Sequence, residues 1–338
     1  KAPIYTLIYN PKEIGDNFKY SQIRTSFLQK IPFAKRYYRF FPILMPMAIE
    51  KFDFSYYDLV ISDSSSFAKG IITKPCAKHI CYCHTPMRFA WDDCQKYLDE
   101  FNYYPKFAKK IAPFGMNYVR MWDQVAGARP DFFIANSQFI SDRIKKYYNR
   151  QSQVIYPPVN VRKIQEKIKN LKPEKEYFLA LARFLPNKKL DIAIDAFNNL
   201  GLPLKIVGSG PLYNFLKKKS KNNIEFLGNI SEENLPTIYA QARGFICPQE
   251  EDFGIAPIEA MAAGTPIIAY RSGGITETVE DRKTGIFFNN QTAKSLEEAV
   301  KKFISCENQF NREEIMHCAE NFDKEIFKKK IKEFIGKI

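Results

Sequence analysis

The chain has 338 residues, of which 45% are hydrophobic and 26% charged, the composition of an ordinary globular protein. This length predicts two domains, and the longest nearly unbroken apolar run, at 40–49, contains two prolines and is too short to span a bilayer. The net charge of +14 favours an acidic partner such as nucleic acid, an anionic membrane or an anionic small substrate, although a solvated lysine-rich surface also explains it. Seven scattered cysteines argue for a reducing compartment.

The first segment, "APIYTLIY" at 2–9, predicts a strand, and because the chain opens with Lys1 rather than Met we expect it to begin inside a domain. Basic clusters follow at 30–41 ("KIPFAKRYYRFF"), 217–221 and 327–334. Aromatic residues interleave the first cluster, which favours docking on an anionic membrane surface over binding of nucleic acid.

Short apolar segments that end in polar turns alternate with helical segments along both halves of the chain. Between the halves, the two prolines of "VIYPPVNV" at 154–161 predict a domain linker. The pattern predicts two doubly wound domains, each a parallel sheet with helices on both faces and with ligand sites in the loops after the strands. Helices are expected at 190–200 and after Ser231, which suits an N-cap. The predicted strands lie at 57–65, 77–86, 130–138, 177–183, 202–210, 223–229, 244–249, 266–270 and 285–289.

Cysteines and histidines crowd the strand at 77–86 and at first sight suggest zinc. Side chains alternate along a strand, so Cys81 and Cys83 share one face while His84 lies on the other. The sequence offers no second pair with the usual zinc spacing, and we expect buried, inert thiols rather than a metal site. The crowded residues are Cys76, His79, Cys81, Cys83 and His84.

A glycine-containing turn, "IVGSGP", follows the strand at 202–210 and invites a dinucleotide-binding interpretation. The third glycine of that fingerprint is replaced by Tyr213, so we reject a nicotinamide dehydrogenase. Gly208 and Gly210 still suit a close approach of the backbone to another nucleotide.

Two cations follow the strand at 177–183, in "ARFLPNKK". Arg183 can donate to two phosphate oxygens at once, and Lys188 supplies a mobile point charge. Alone, such a pair is more typical of a solvated loop. Its place after a strand of a doubly wound domain favours a ligand site.

The stretch "EEDFGIAPIEAMAAG" holds two glutamates, Glu251 and Glu259, on either side of a predicted helix start. Pro257 suits the first position of that helix and Gly264 its left-handed end. The backbone amides of 254–256 then form an anion site. Carboxylates accept hydrogen bonds from vicinal hydroxyls, so a diphosphate between two sets of hydroxyls, as in a sugar nucleotide, suits this arrangement.

Together these motifs resemble glycosyltransferase family 4, whose signature of two glutamates separated by seven residues matches "EDFGIAPIEAMAAG". "YPPV", "ARFLPNKK", "VGSGP" and "FLGNIS" fall in the family's order within 154–290. The resemblance implies the α/β GT-B fold, two Rossmann-like doubly wound domains that face each other across a cleft. We expect an acceptor-side domain at 1–155, a nucleotide-sugar-binding domain at 156–310 and a C-terminal helix at 311–338. That helix either crosses back to the first domain or lies on a membrane.

Carried over to this chain, the signature assigns Glu251 to the hydroxyls of the transferred sugar, as a catalytic contact, and Glu259 to the ribose. Arg183 and Lys188 would neutralise the diphosphate. The family often has glycine after the lysine, where this chain has Lys189, which leaves open which lysine makes the contact. Family members retain the anomeric configuration and need no metal, so we expect no cofactor. The other donor-binding residues implied are Gly208, Phe253, Gly254, Ile255 and Ala256.

A second signature, "YCHTPMRFAWD" at 82–92, resembles family 4 enzymes that build bacterial lipopolysaccharide O-antigen or capsule, many of them mannosyltransferases. It implies that His84 lies near the donor sugar as a catalytic residue, and that Arg88, Trp91 and Asp92 contact the acceptor. Family members open with a strand and a glycine-rich loop, so we expect about 25 to 30 residues to precede residue 1.

These features predict a retaining, metal-independent transferase that moves a hexose, mannose from GDP-mannose, to a lipid-linked saccharide at the cytoplasmic face of the membrane. UDP-hexose or dTDP-hexose donors are the nearest alternatives. A glycoside hydrolase would also use paired carboxylates, but it has no use for diphosphate cations. A nucleic-acid-binding protein would explain the charge but not the glutamates.

Overall fold

A computed structural model describes residues 2–14, 18, 20–32, 42–92, 94, 106–172 and 174–338. Most of the basic cluster predicted to dock on a membrane, 33–41, lies outside the described residues. The strands are β1 Ile4–Thr6, β2 Ile23–Thr25, β3 Leu59–Ser64, β4 Lys78–Cys83, β5 Phe132–Ala135, β6 Ser152–Val154, β7 Tyr177–Leu181, β8 Leu204–Val207, β9 Ile224–Gly228, β10 Ala242–Cys247, β11 Ile267–Tyr270 and β12 Gly285–Phe288. The helices are α1 Pro11–Ile14, α2 Met45–Glu50, α3 Lys106–Ala126, α4 Gln138–Tyr148, α5 Val161–Ile168, α6 Leu190–Leu200, α7 Tyr213–Lys219, α8 Leu235–Ala240, α9 Ile255–Ala262, α10 Ala293–Cys306, α11 Arg312–Glu320 and α12 Lys324–Ile335.

The chain divides into two compact units. Residues 1–136 and 140–154 form the first, which contains a parallel sheet in the order β3-β4-β5-β6 and a separate parallel pair β1-β2. β4 is buried on both faces from its second residue onward, which explains its continuous apolar sequence. β3 instead alternates, and its Leu59 and Ile61 are exposed.

The core of the first unit contains a buried ion pair between the Lys69 ammonium and the Asp123 carboxylate, both almost fully inaccessible to solvent. The other oxygen of Asp123 accepts hydrogen bonds from Trp91 Nε1 and from the Tyr148 hydroxyl, each at 2.8 Å. Lys69 Nζ also donates to the Ser66 carbonyl at 2.6 Å. Each buried charge therefore has several partners, which a desolvated ion pair needs in order to be tolerated.

The second unit, residues 137–139 and 155–338, contains a six-stranded parallel sheet. Its strand order, β9-β8-β7-β10-β11-β12, is that of a doubly wound Rossmann-like domain and reverses direction between β7 and β10. Successive residues of β7 enter opposite cores: Phe178 packs in one cluster and Leu179 in the other. The doubly wound α/β fold predicted from the sequence is confirmed.

One predicted helix start is wrong. The helix expected after Ser231 begins only at Leu235, and 231–234 form a turn in which the amides of Asn234 and Leu235 donate to the Ser231 carbonyl. Pro236 explains the difference. In the first turn of α8 its missing amide costs nothing, whereas in a helix that began at residue 232 it would interrupt the hydrogen-bond ladder.

The C-terminal segment 311–338, predicted as a single helix, contains two helices, α11 and α12, because the chain turns at 321–323. α12 is capped by the Asp323 side chain, which accepts from the Glu325 amide at 3.0 Å. It belongs to the second unit, where residue Val159 pairs with Asp323. Its crossing to the first domain stays a prediction. Within the described ranges, each helix is too short or too polar to cross a membrane.

We predict that Asp123→Ala lowers the free energy of unfolding of the first unit by about 3 to 5 kcal/mol, because the Lys69 ammonium is then buried without a counter-charge. Urea unfolding followed by tryptophan fluorescence measures it, since the chain's two tryptophans, Trp91 and Trp122, lie in this unit. The control is Asp58→Ala, which breaks the exposed Lys74–Asp58 pair and should change little. A similar response of both variants would contradict the prediction.

Candidate functional site

The two loops that leave the sheet where its strand order reverses carry the predicted donor-binding side chains. Arg183 and Lys188 follow β7, and Glu251 follows β10. All strands of this sheet are parallel, so both loops leave the same edge, and the reversal sends their helices to opposite faces. The crevice that results is where doubly wound sheets bind ligands.

Lys188 and Glu251 are in direct contact. Lys188 Nζ donates to Glu251 Oε1 at 2.7 Å, and Gln249 Nε2 donates to the same oxygen at 2.6 Å. The Gln249 side chain is buried. Its contact could not be predicted from the sequence, because a glutamine beside two glutamates matches no motif. Arg183, in contrast, is exposed, and its guanidinium contacts none of the acidic side chains that the structure describes.

The structure distinguishes Lys188 from Lys189. Lys188 ends a short 3₁₀ turn, Pro186–Lys188, and its side chain reaches Glu251. Lys189 follows with φ +52° and ψ +29°, a left-handed conformation that favours glycine. At the position where the family often has glycine, this chain therefore has a lysine in a left-handed conformation that glycine adopts easily.

Glu259 lies in a different environment from Glu251. Its Oε2 accepts from the Tyr239 hydroxyl at 2.9 Å, and Oε1 accepts from no other group in the described part of the chain. Burial raises the pKa of the Glu259 carboxyl, the Tyr239 hydrogen bond lowers it, and the nearby charge of Glu232 raises it. The result is a half-buried carboxylate that forms no ion pair with the described residues and can accept a further hydrogen bond.

A cavity of about 420 Å³ opens beside Glu259. Ile164, Leu235 and Pro236 give it an apolar wall. The rest of the lining is mostly charged and comprises Lys163, Glu166, Lys167, Glu232 and Glu233, together with Asn160 and Tyr239. A concave site with an apolar wall and several polar groups can hold a small molecule.

The helix start between the two glutamates differs from the expectation. α9 begins at Ile255, two residues before the predicted start, so Pro257 is its third residue. Gly254, at φ +98°, turns the chain into the helix, and Gly264, at φ +76°, ends it as predicted. Because proline at the third position has no amide, the amides of 254–256 remain as the donors of this helix start.

Gly208 allows the loop after β8 to pass close to the loop after β7. Its φ is +130°, and a Cβ added there would lie 2.0 Å from the Ala182 carbonyl oxygen. Its amide donates to the Gly228 carbonyl at 2.8 Å. The predicted glycine turn thus supports the loop that carries Arg183 and Lys188.

In the first unit, His84 follows β4, and its Nε2 lies 2.5 Å from Oδ1 of Asp63, near the end of β3. Its ring packs edge-on against Tyr82, with ring centroids 5.2 Å apart. Asp63 is a partner that the sequence did not reveal, because the two residues are neighbours only through the pairing of β3 with β4.

The three predicted acceptor residues are in part engaged with the protein itself. Trp91 stacks on Tyr147, with centroids 4.6 Å apart, in addition to its bond to Asp123. Asp92 forms short contacts with the Tyr147 hydroxyl and with the Arg143 guanidinium. Arg88 is half-buried. An acceptor role for these residues stays a prediction.

The crowded cysteines and histidines do not converge. Cys81 and Cys83 are buried, Cys76 is exposed, and Ser62 Oγ lies 2.8 Å from Nε2 of His79. Burial lowers the pKa of His79 to about 4, so its ring is neutral. Across the described ranges, histidine, cysteine and acidic residues form no group of three or more that could hold a metal ion.

Two family models match the chain. Residues 10–163 match "Glycosyltransferase Family 4", and residues 161–324 match "Glycosyl transferases group 1". The chain belongs to the GT-B glycosyltransferases of the family 4 type. The resemblance seen in the sequence is confirmed. Membership in a family of transferases argues against the two other functions considered from the sequence, a glycoside hydrolase and a nucleic-acid-binding protein.

Curated relatives cover part of the chain. An uncharacterized glycosyltransferase of Methanocaldococcus jannaschii is 28% identical over 56% of this chain and 54% of its own length. A GDP-mannose-dependent alpha-(1-6)-phosphatidylinositol monomannoside mannosyltransferase of Mycobacterium tuberculosis is 31% identical over 39% of each chain. An alpha-1,3/1,6-mannosyltransferase of Dictyostelium discoideum is 29% identical over 55% of this chain and 56% of its own. The matched region thus spans about half or less of these relatives.

Solved structures match the whole fold. Sucrose-phosphate synthase from Thermosynechococcus elongatus has a TM-score of 0.70 at 17% identity, covering 94% of this chain and 83% of its own. HepE from Anabaena, solved in complex with UDP, has a TM-score of 0.69 at 16% identity, covering 99% and 92%. At these identities the likeness establishes the fold.

We predict that Glu259→Gln leaves the protein as stable as the parent, or more so, near neutral pH. The pKa of the Glu259 carboxyl is higher in the folded protein than in the unfolded chain. The free energy of unfolding therefore falls as the pH rises from the lower of these two pKa values to the higher one. Glutamine removes that cost and can still accept from Tyr239. Urea unfolding followed by circular dichroism, at several values between about pH 4 and pH 7, should show the variant's advantage growing with pH. A variant that is clearly less stable at pH 7 would show instead that the carboxylate supports the fold.

Proposed function

We propose that this protein is a retaining, metal-independent hexosyltransferase that transfers mannose from GDP-mannose to a lipid-linked saccharide during synthesis of a surface polysaccharide such as O-antigen or capsule. The observation that carries the proposal is the contact between Lys188 and Glu251 at the edge where the strand order reverses, next to the first amides of α9. A cation, a helix start and two carboxylates suit a diphosphate that links two hydroxyl-bearing groups.

The choice of mannose rests on relatives. The Mycobacterium tuberculosis enzyme is described as GDP-mannose-dependent, and the Dictyostelium discoideum relative as a mannosyltransferase. HepE, a neighbour by fold, was solved with UDP, and UDP-hexose or dTDP-hexose is the alternative donor class.

The proposed chemistry needs positive charge where the nucleoside diphosphate departs. Lys188, Arg183 and the amides of 254–256 supply that charge without a metal cofactor. The lysine, bonded to Glu251, and the helix amides are fixed in place before the reaction begins. Glu251 takes the hydroxyls of the sugar and Glu259 those of the ribose, with the nucleoside in the cavity beside Glu259.

The proposed acceptor and location rest on the net charge of the chain and on the signature at 82–92. A net charge of +14 suits work at an anionic surface, and we propose that the protein acts as a peripheral protein at the inner face of the cytoplasmic membrane. His84, paired with Asp63, and the segment with Arg88, Trp91 and Asp92 would face the sugar and the acceptor.

We predict that GDP-mannose stabilises the protein against thermal unfolding more than UDP-glucose or dTDP-glucose at equal concentration. At 100 times its dissociation constant a donor should add about 2.7 kcal/mol, because it binds the folded state alone. Release of GDP from GDP-mannose, measured together with transfer of mannose to a polyprenyl-diphosphate saccharide, completes the test. Preference for a UDP-sugar would overturn the choice of donor, and failure to bind any nucleotide sugar would overturn the proposed function.

We predict that Lys188→Met weakens binding of the preferred donor by roughly 10-fold to 100-fold, the effect of losing one charge-assisted hydrogen bond. Isothermal titration calorimetry with the donor measures it. Lys189→Met is the matched control, since it removes the same charge one residue away and should retain affinity within a factor of about three. If the control loses affinity and Lys188→Met does not, the assignment of the phosphate-binding lysine is reversed.

A further inference from the structure

The outer face of α3, in the first unit, is apolar and exposed. Phe114, Tyr118, Met121 and Val125 are 77%, 42%, 55% and 63% exposed. Their spacing of four, three and four residues places them on one side of the helix. Large apolar side chains in a continuous exposed stripe mark an interaction surface.

Between residues 113 and 128, within the part of the α3 segment whose side chains are described, this face carries no charge. Residues 113–128 include two charged side chains, and both are engaged inside the unit: Arg120 donates to the Ala90 carbonyl at 2.6 Å, and Asp123 forms the buried pair with Lys69. In a chain with 26% charged residues, three turns of exposed helix without one are unusual. The exposed positions of this segment are Pro113, Phe114, Asn117, Tyr118, Met121, Gln124, Val125 and Ala128.

The turn before α2 extends this surface. Ile43 and Met47 are 50% and 45% exposed, and a Cβ added to Gly115 of α3 would lie 3.1 Å from Cδ1 of Ile43. Contact between Ile43 and Gly115 joins the two stretches into one surface, called here the α2–α3 patch. It consists of Ile43, Met47, Phe114, Tyr118, Met121 and Val125.

The sequence around the patch is basic and aromatic. Segments 30–49 and 101–122, which supply nearly all of it, contain no aspartate or glutamate. Their basic residues are Lys30, Lys35, Arg36, Arg39, Lys106, Lys109, Lys110 and Arg120. Two copies of segments so basic in sequence would repel each other, whereas lipids with negative headgroups would attract them.

We infer that the α2–α3 patch docks on an anionic membrane surface, with its apolar side chains in the boundary between headgroups and acyl chains, and that the positive charge of the sequence in which it lies attracts the headgroups. An apolar helix face flanked by lysine and arginine, with aromatic residues nearby, is typical of helices that lie in that boundary. The inference deepens the proposed function, since it names the surface that brings the enzyme to a lipid-linked acceptor. It assigns the apolar contact to α3 rather than to the cluster at 30–41 alone.

The test is sedimentation of the whole chain with vesicles of phosphatidylcholine, with and without phosphatidylglycerol. The variant combines Phe114→Gln, Met121→Gln and Val125→Gln, which keep good helix formers on the helix surface. We expect its partitioning to phosphatidylglycerol vesicles to fall at least about tenfold, because the apolar area available for burial is lost. Salt should weaken binding of the parent, and neutral vesicles should bind it poorly.

The matched control combines Phe215→Gln and Ile304→Gln, which remove exposed apolar side chains, 56% and 37% accessible, from helices of the second unit. It should bind vesicles like the parent. An equal loss in both variants, or no loss in the α3 variant, would overturn the inference. So would a parent dimer that the α3 variant converts to monomer, because a second copy would then cover the patch.

Donor binding separates this inference from the proposed function. The α3 variant should bind GDP-mannose with the affinity of the parent, since the patch and the donor-binding residues belong to different units. A parent protein that binds the donor but no vesicle overturns the docking surface alone. One that binds vesicles through the patch but no nucleotide sugar supports the surface and overturns the proposed function.

Discussion

The reversal of strand order between β7 and β10 is the constraint on which the candidate site depends. All six strands of the second unit are parallel, so the loops that carry the candidate donor-binding residues leave the sheet at the same edge. Because connections turn to opposite faces on the two sides of the reversal, the loops after β7 and β10 diverge above the sheet but remain neighbours at its edge. Lys188 and Glu251, 63 positions apart in sequence, form their 2.7 Å contact there.

The two glutamates show how one residue type can serve two purposes. Glu251 accepts hydrogen bonds at one oxygen from a lysine and a glutamine. Glu259 is half-buried against a tyrosine, and this burial raises the pKa of its carboxyl. The first glutamate is therefore paired with a cation, whereas the second borders a cavity and has an oxygen left to accept a hydroxyl.

The sequence predicts the fold well because buried parallel strands are continuous apolar runs, and all nine strands predicted for the two sheets form within their expected ranges or within two residues of them. Helix starts are less certain. Ser231 and Pro257 each satisfy a local rule for a helix start, yet α8 and α9 begin elsewhere, because Pro236 and the turn at Gly254 set where these helices start. The spacing of the glutamates reveals the site, but Gln249, Tyr239 and Asp63 do not stand out, since their contacts arise only when strands and helices come together.

The pair between Lys188 and Glu251 also has a consequence for selectivity. A ligand that reaches Lys188 must compete with a carboxylate already bonded to it at 2.7 Å, so it gains only the difference between two ion pairs. A singly charged anion such as chloride or acetate gains little from that exchange. A diphosphate gains more, because it can contact the helix amides and a second cation at the same time. The internal ion pair therefore disfavours small singly charged anions relative to a diphosphate.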